Sequence, residues 1–133
     1  VQANSEGQPM SRCDMDLHVL AADRVVRISQ NLGMHSTGCR LDPASLETAV
    51  GLAETALSKS PHLCVVNKFG KTEVDGKGFR SVIAEALARD IPVLTSVSRG
   101  NLGAFNFFVD GFGEEIPADF DSVLKWCHAQ KKL

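Results

Sequence analysis

The sequence predicts an α/β fold with a mainly parallel sheet and an early β-hairpin excursion. Three observations carry that expectation. Runs of β-branched residues alternate with helical periodicities along the chain, and residues 63–97 read strand, helix, strand with short connections. Near the start, two short strand-like runs are separated only by Ala21-Ala22-Asp23. A strand, a crossover helix and a second strand form the βαβ unit from which parallel sheets are built.

Val1-Gln2-Ala3 reads as the tail of a strand, followed by a polar linker over residues 4–11. Residues 15–20 alternate polar and apolar side chains, and residues 24–29 are β-branched, so both are strands of one hairpin. Gly33 and Gly38 mark a loop across 30–40. Asp42 and Pro43 start a helix, one as its cap and the other at its first position. Leu46, Ala49, Val50, Ala53 and Leu57 form its inner face, and Pro61 stops it. Residues 63–66 are apolar on successive positions, the pattern of a strand covered on both faces. A helix over 78–89 turns Phe79, Val82, Ile83, Ala86 and Leu87 inward, and 92–97 is the next strand. Residues 101–109 form a short helix with Leu102, Phe105, Phe108 and Val109 inward, Phe107 as the exception, and Gly111 at its end. Asp119 caps the last helix, whose stripe is Phe120, Val123, Leu124 and Cys127, with Trp126 off it.

At 133 residues the chain is expected to be a single α/β domain. A net charge of −2 gives no reason to expect nucleic acid. No apolar run approaches the roughly 20 residues of a membrane span, and no signal peptide is visible, so no membrane insertion and a cytoplasmic location are expected. The chain begins at Val1 rather than Met. A preceding segment is therefore the expectation. The four cysteines include no CxxC pair, and Cys64 and Cys127 read as core thiols.

Residues 67–80 are the natural place for a site, because ligands of open α/β sheets sit beyond the carboxyl ends of strands. Lys68, Lys71, Lys77 and Arg80 face only Glu73 and Asp75 there, so the loop is locally basic and suits a small anionic ligand. Gly70, Gly76 and Gly78 allow close backbone approach, and the amides of 76–79 would add the positive pole of the following helix. A solvated loop with turn glycines is the alternative.

Asn67-Lys68-Phe69-Gly70-Lys71-Thr72-Glu73, the Phe-led helix after it and Ile91-Pro92-Val93-Leu94-Thr95 together resemble a known pattern. They are similar to a family of uncharacterised bacterial proteins, a domain of unknown function, related to the thermophilic-type P-loop nucleoside-triphosphatases. Arg12-Cys13-Asp14-Met15, Gln30-Asn31-Leu32-Gly33 and Gly38-Cys39-Arg40-Leu41-Asp42-Pro43 resemble the bacterial family in particular. The resemblance implies a P-loop-NTPase-like three-layer fold, lacking here its N-terminal strand, phosphate loop and helix. It implies a nucleotide- or phosphate-binding domain, with nucleotide and Mg²⁺ as the cofactors. Taken with the basic-loop reading, the candidate ligand-binding set is Asn67, Lys68, Gly70, Lys71, Glu73, Gly76, Gly78 and Arg80, of which Gly70, Lys71 and Glu73 match the family pattern.

Two departures qualify that reading. No Gly-x-x-x-x-Gly-Lys-Ser/Thr turn occurs in the sequence. Asn67 and Lys68 also stand where the related enzymes carry, in a Walker B segment, the aspartate that supports Mg²⁺ and the glutamate that activates water. An amide is a weak Mg²⁺ ligand and an ammonium cannot accept a proton, so little or no hydrolysis is expected from this degenerate segment. The alternative function is a non-enzymatic module for a molybdate-like oxyanion, linked to metal transport or cofactor assembly, since some members of the family are encoded near molybdate-transport genes. A transport or cofactor-assembly partner, or a homo-oligomer, would accompany it.

A second candidate site gathers Cys13, His35, Cys39 and Arg40, with His18 nearby in sequence. Two Cys and two His suit Zn²⁺, although the spacings lack the tight pairing of a zinc ribbon. A reactive thiol at Cys39, ahead of the Pro43 helix, is the other option. Incidental thiols and histidines remain the plain alternative.

Overall fold

The computed structural model describes residues 2–4, 15–30 and 40–130, with side chains described for 17–29 and 41–130. These form two compact units, Val1–Lys59 and Ser60–Leu133. In the first, β1 (Gln2–Asn4), β2 (Met15–Val19) and β3 (Arg24–Arg27) make an antiparallel sheet in that order. The β2–β3 hairpin pairs Leu17 with Val26 and turns through Asp23, whose φ of 47° is left-handed. Asp adopts that region more readily than most residues. The expected loop after the hairpin starts and ends in a two-residue ribbon, β4 (Ser29–Gln30) with β5 (Arg40–Leu41).

Helix α1 (Pro43–Leu57) begins as the sequence predicts. Asp42 accepts hydrogen bonds from Ala44 N at 3.1 Å and Ser45 Oγ at 2.9 Å. Leu46, Ala49, Val50 and Leu57 are buried and α1 packs on β2 and β3. The helix ends at Leu57, four residues before Pro61.

In the second unit, β6 (Cys64–Phe69) and β7 (Val93–Val97) pair in parallel, Cys64 opposite Val93. Between them run α2 (Lys71–Val74) and α3 (Arg80–Ala88). The α2 turn falls where the sequence reads as loop. Val66, Phe69 and Ile83 form the centre of the core, joined by Phe79, Val93, Val97, Phe105 and Phe108. The rings of α4 (Leu102–Phe108) close on Phe69: Phe105 edge-on with centroids 5.3 Å apart, and Phe108 stacked at 5.6 Å. Helix α5 (Phe120–Ala129) starts at Asp119, which accepts from Ser122 N at 2.8 Å. That bond holds the Asp119 carboxyl below its usual range.

Several expectations are corrected. Among the described residues one strand pairing is parallel and three are antiparallel, so the parallel sheet is narrower than expected. Within the second unit, the described residues do not cover β6 on both faces. Val65 is 65% exposed, because α2 and α3 pack on β6 while the core lies on the side of Val66 and Phe69. Leu87, Leu102, Phe120 and Leu124 are exposed rather than inward, and Trp126 is half-buried. A helical stripe predicted from spacing alone is wider than the strip its short sheet can cover.

Thr95, opposite Val66 in the parallel pair, has a buried Oγ1 with no hydrogen-bond partner among the described residues. An unmade buried hydrogen bond costs about 1–3 kcal/mol. Replacing Thr95 with the isosteric valine should therefore stabilise the chain by about 1 kcal/mol, read as a raised urea midpoint with an unchanged slope.

Candidate functional site: the carboxyl end of the parallel pair

The site begins with an irregularity in β6. Opposite β7, Val66 pairs with Thr95 and Phe69 with Val97, so three steps on one strand face two on the other. A regular strand alternates faces, which would send Lys68 to the same side as Val66. The bulge resets that alternation. Val66 and Phe69 are both buried, and the two residues between them, Asn67 and Lys68, are both exposed. Ser96 Oγ donates to the Asn67 carbonyl at 2.7 Å, joining the bulge to β7.

The chain then turns at Gly70 into α2. Glu73, at the third helical position, reaches back and accepts from Gly70 N at 3.0 Å. This is one half of a capping box, with glycine as the cap residue. The same carboxylate accepts from Phe79 N at 3.4 Å. Glu73 is only 5% exposed, a rare state for a glutamate. Burial pushes its carboxyl up from the ordinary range, against the opposing pull of the two amides and the charge of Lys68.

Gly78 completes this arrangement. Its φ of +61° is left-handed, and a Cβ there would run into Glu73 Oε2 and lie 3.1 Å from Thr72 Cγ2. Gly76, at φ +89°, is left-handed as well. Gly70 differs: its φ is −113°, and a Cβ would meet Lys68 Cε at 3.7 Å and both Glu73 Oε1 and Lys68 Cδ at 3.8 Å, ordinary contacts.

The structure places the predicted residues unevenly. Lys68 and Lys71 are exposed at the strand end, and neither forms a salt bridge among the described residues. Arg80 is half-buried, its guanidinium 4.8 Å over the Phe108 ring. The expected free amides of 76–79 are largely taken: Gly76 N donates to Glu73 O, Lys77 N to Thr72 O, and Phe79 N to the Glu73 carboxylate. The loop closes on itself, so its backbone is not the anion cradle that its glycines suggest. Mg²⁺ fits this donor set poorly, because the strand end offers Asn67 and Lys68 and the nearby Glu73 carboxylate is committed to two amides.

Cys13, His35 and Cys39 lie outside the described residues, as does the Arg40 side chain. His18 Nε2 lies 3.1 Å from Asp23 Oδ1 within the hairpin. Burial raises the Cys64 thiol. Sequence reasoning missed the two-amide role of Glu73, although Gly70 to Glu73 has the spacing of a capping box.

A family model described as protein of unknown function, DUF2478, matches residues 1–126. The molybdenum import ATP-binding protein ModC 2 of Bradyrhizobium diazoefficiens is 32% identical over 126 residues. The match covers 95% of this chain and 14% of that protein's length. No solved structure matches the chain. No helix among the described residues is long and apolar enough to cross a membrane.

Proposed function

Starting from a chain that belongs to the DUF2478 family, we propose a nucleotide- or phosphate-binding domain of P-loop NTPase ancestry, with a degenerate Walker B segment and little or no hydrolysis. The observation that carries this reading is the strand end itself. Asn67 and Lys68 are exposed side by side, Lys71 opens α2 just beyond Gly70, and Glu73 is withdrawn into the backbone. Cations without ion-pair partners among the described residues, at the carboxyl end of a parallel pair, favour a phosphate or another oxyanion. Likeness to a protein named as ATP-binding supports the ancestry.

Calorimetry on the full-length natural protein with ATP, GTP and Mg²⁺ tests the reading. Binding with negligible phosphate release is expected; no binding of either nucleotide would sink it. Lys71→Ala should weaken binding on the order of tenfold, the worth of one charge-assisted contact, while leaving the unfolding midpoint nearly unchanged.

The second reading is an oxyanion-binding or regulatory module beside a metal-transport or cofactor-assembly system. The relative's name, molybdenum import, favours it. Thermal shift against molybdate, tungstate, sulfate and phosphate separates the two. A response to molybdate and tungstate without a response to nucleotide selects the second.

A further inference from the structure

The strand-end anion site rests on Lys68 and Lys71, which form no salt bridge among the described residues, so something else must set the shape of the turn that presents them. Glu73 is placed to do so. Its two carboxylate oxygens accept from Gly70 N and Phe79 N, amides nine residues apart that bracket the whole turn. Gly78 is left-handed and has no room for a Cβ, which keeps the backbone pressed against the carboxylate. The Lys68 stem lies over the same point: Lys68 Cδ and Cε and Glu73 Oε1 are all within 4 Å of where a Gly70 Cβ would sit. The charged side chain that acts on the carboxylate is Lys68 from β6; Lys71, Asp75 and Arg80 are the other charged residues close to it in sequence.

We propose that Glu73 is a positioning residue: it clamps the amides of Gly70 and Phe79, and through them holds Lys68 and Lys71 in register for a tetrahedral oxyanion that it does not itself touch. This rests on the anion site of the previous section. It reassigns Glu73 from ligand contact to scaffold of that site.

Sulfate is the suitable probe, because its charge is constant over the working pH range. Glu73→Gln separates clamp from charge by the sign of its effect. Removing a negative charge beside Lys68 would by itself tighten sulfate binding. Gln, however, can accept through one oxygen only, and its amide nitrogen cannot serve the second N–H. The clamp predicts sulfate binding at least fivefold weaker in Glu73→Gln by calorimetry at neutral pH. Equal or tighter binding overturns it. The same question can be put to the unsubstituted protein, should the variant fail to fold. Coupling between two sites is reciprocal, so bound sulfate must reinforce the clamp if the clamp shapes its site. Hydrogen exchange at the Gly70 and Phe79 amides should slow severalfold on adding sulfate, and unchanged or faster exchange overturns the proposal. If the unsubstituted protein binds no sulfate, phosphate or nucleotide, the anion site fails and the clamp's role falls with it. If it binds sulfate and Glu73→Gln binds equally well, the clamp alone fails.

Discussion

Replacing Gly78 with alanine should destabilise the chain by about 3 kcal/mol, the larger of the two effects expected at this turn. Two costs combine. An alanine at φ +61° adopts a left-handed conformation worth about 1–2 kcal/mol against it. Its Cβ also displaces the Glu73 carboxylate, which is buried and held by two amides and so cannot swing aside cheaply. A double-mutant cycle divides these costs. With Glu73 already alanine the clash with its carboxylate is gone and only the 3.1 Å approach to Thr72 Cγ2 remains, so Gly78→Ala should then cost only about 1–2 kcal/mol. Additive costs in denaturant titrations would refute the coupling. Gly70→Ala serves as the contrast, since it meets ordinary contacts and an ordinary φ.

Glu73→Ala itself should cost about 2 kcal/mol, because the Gly70 and Phe79 amides lose their partner while a desolvated carboxyl is relieved. The relief has a pH signature. Burial raises the folded-state pKa of Glu73 above its ordinary value of 4.5. The native state therefore holds this proton more tightly than the unfolded chain. Its contribution is complete below the ordinary value and is lost as pH rises through the raised one. Unfolding free energy of the unsubstituted chain, taken relative to Glu73→Gln, should fall from pH 4 to pH 7. A flat or rising difference would count against the assignment.

Much of the framework could be read from residue order. Asp42-Pro43 announced α1 and the β-branched runs announced the hairpin, because both depend on contacts close in sequence, and the strand–helix–strand order announced the parallel pair through the topology of the crossover. What could not be read depends on neighbours distant in sequence. Val65 looked like a core residue until the placement of α2 and α3 on β6 left it outside. Leu87 and Leu102 fitted helical faces that extend beyond the strip the sheet covers. Of the site, the lysines and glycines stood out by composition. The α2 turn did not, since Lys-Thr-Glu between glycines has the composition of a solvated loop. The burial of Glu73 was hidden as well: the capping-box spacing points to its bond with Gly70 N, but its second partner, Phe79 N, leaves no mark in the side-chain pattern.

The extra residue in β6 changes how many surface positions a strand with one buried face can offer. Taking either Asn67 or Lys68 out would leave a strand that still counts in twos, Val66 inside, one residue outside, Phe69 inside. The present chain has two adjacent outward positions at no expense to the residues that anchor the sheet. Chemistry at those positions can therefore be exchanged, carboxylate for amide or ammonium, without touching Val66 or Phe69. A strand built this way separates the part of the sequence that keeps the fold from the part that can acquire, lose or alter an activity.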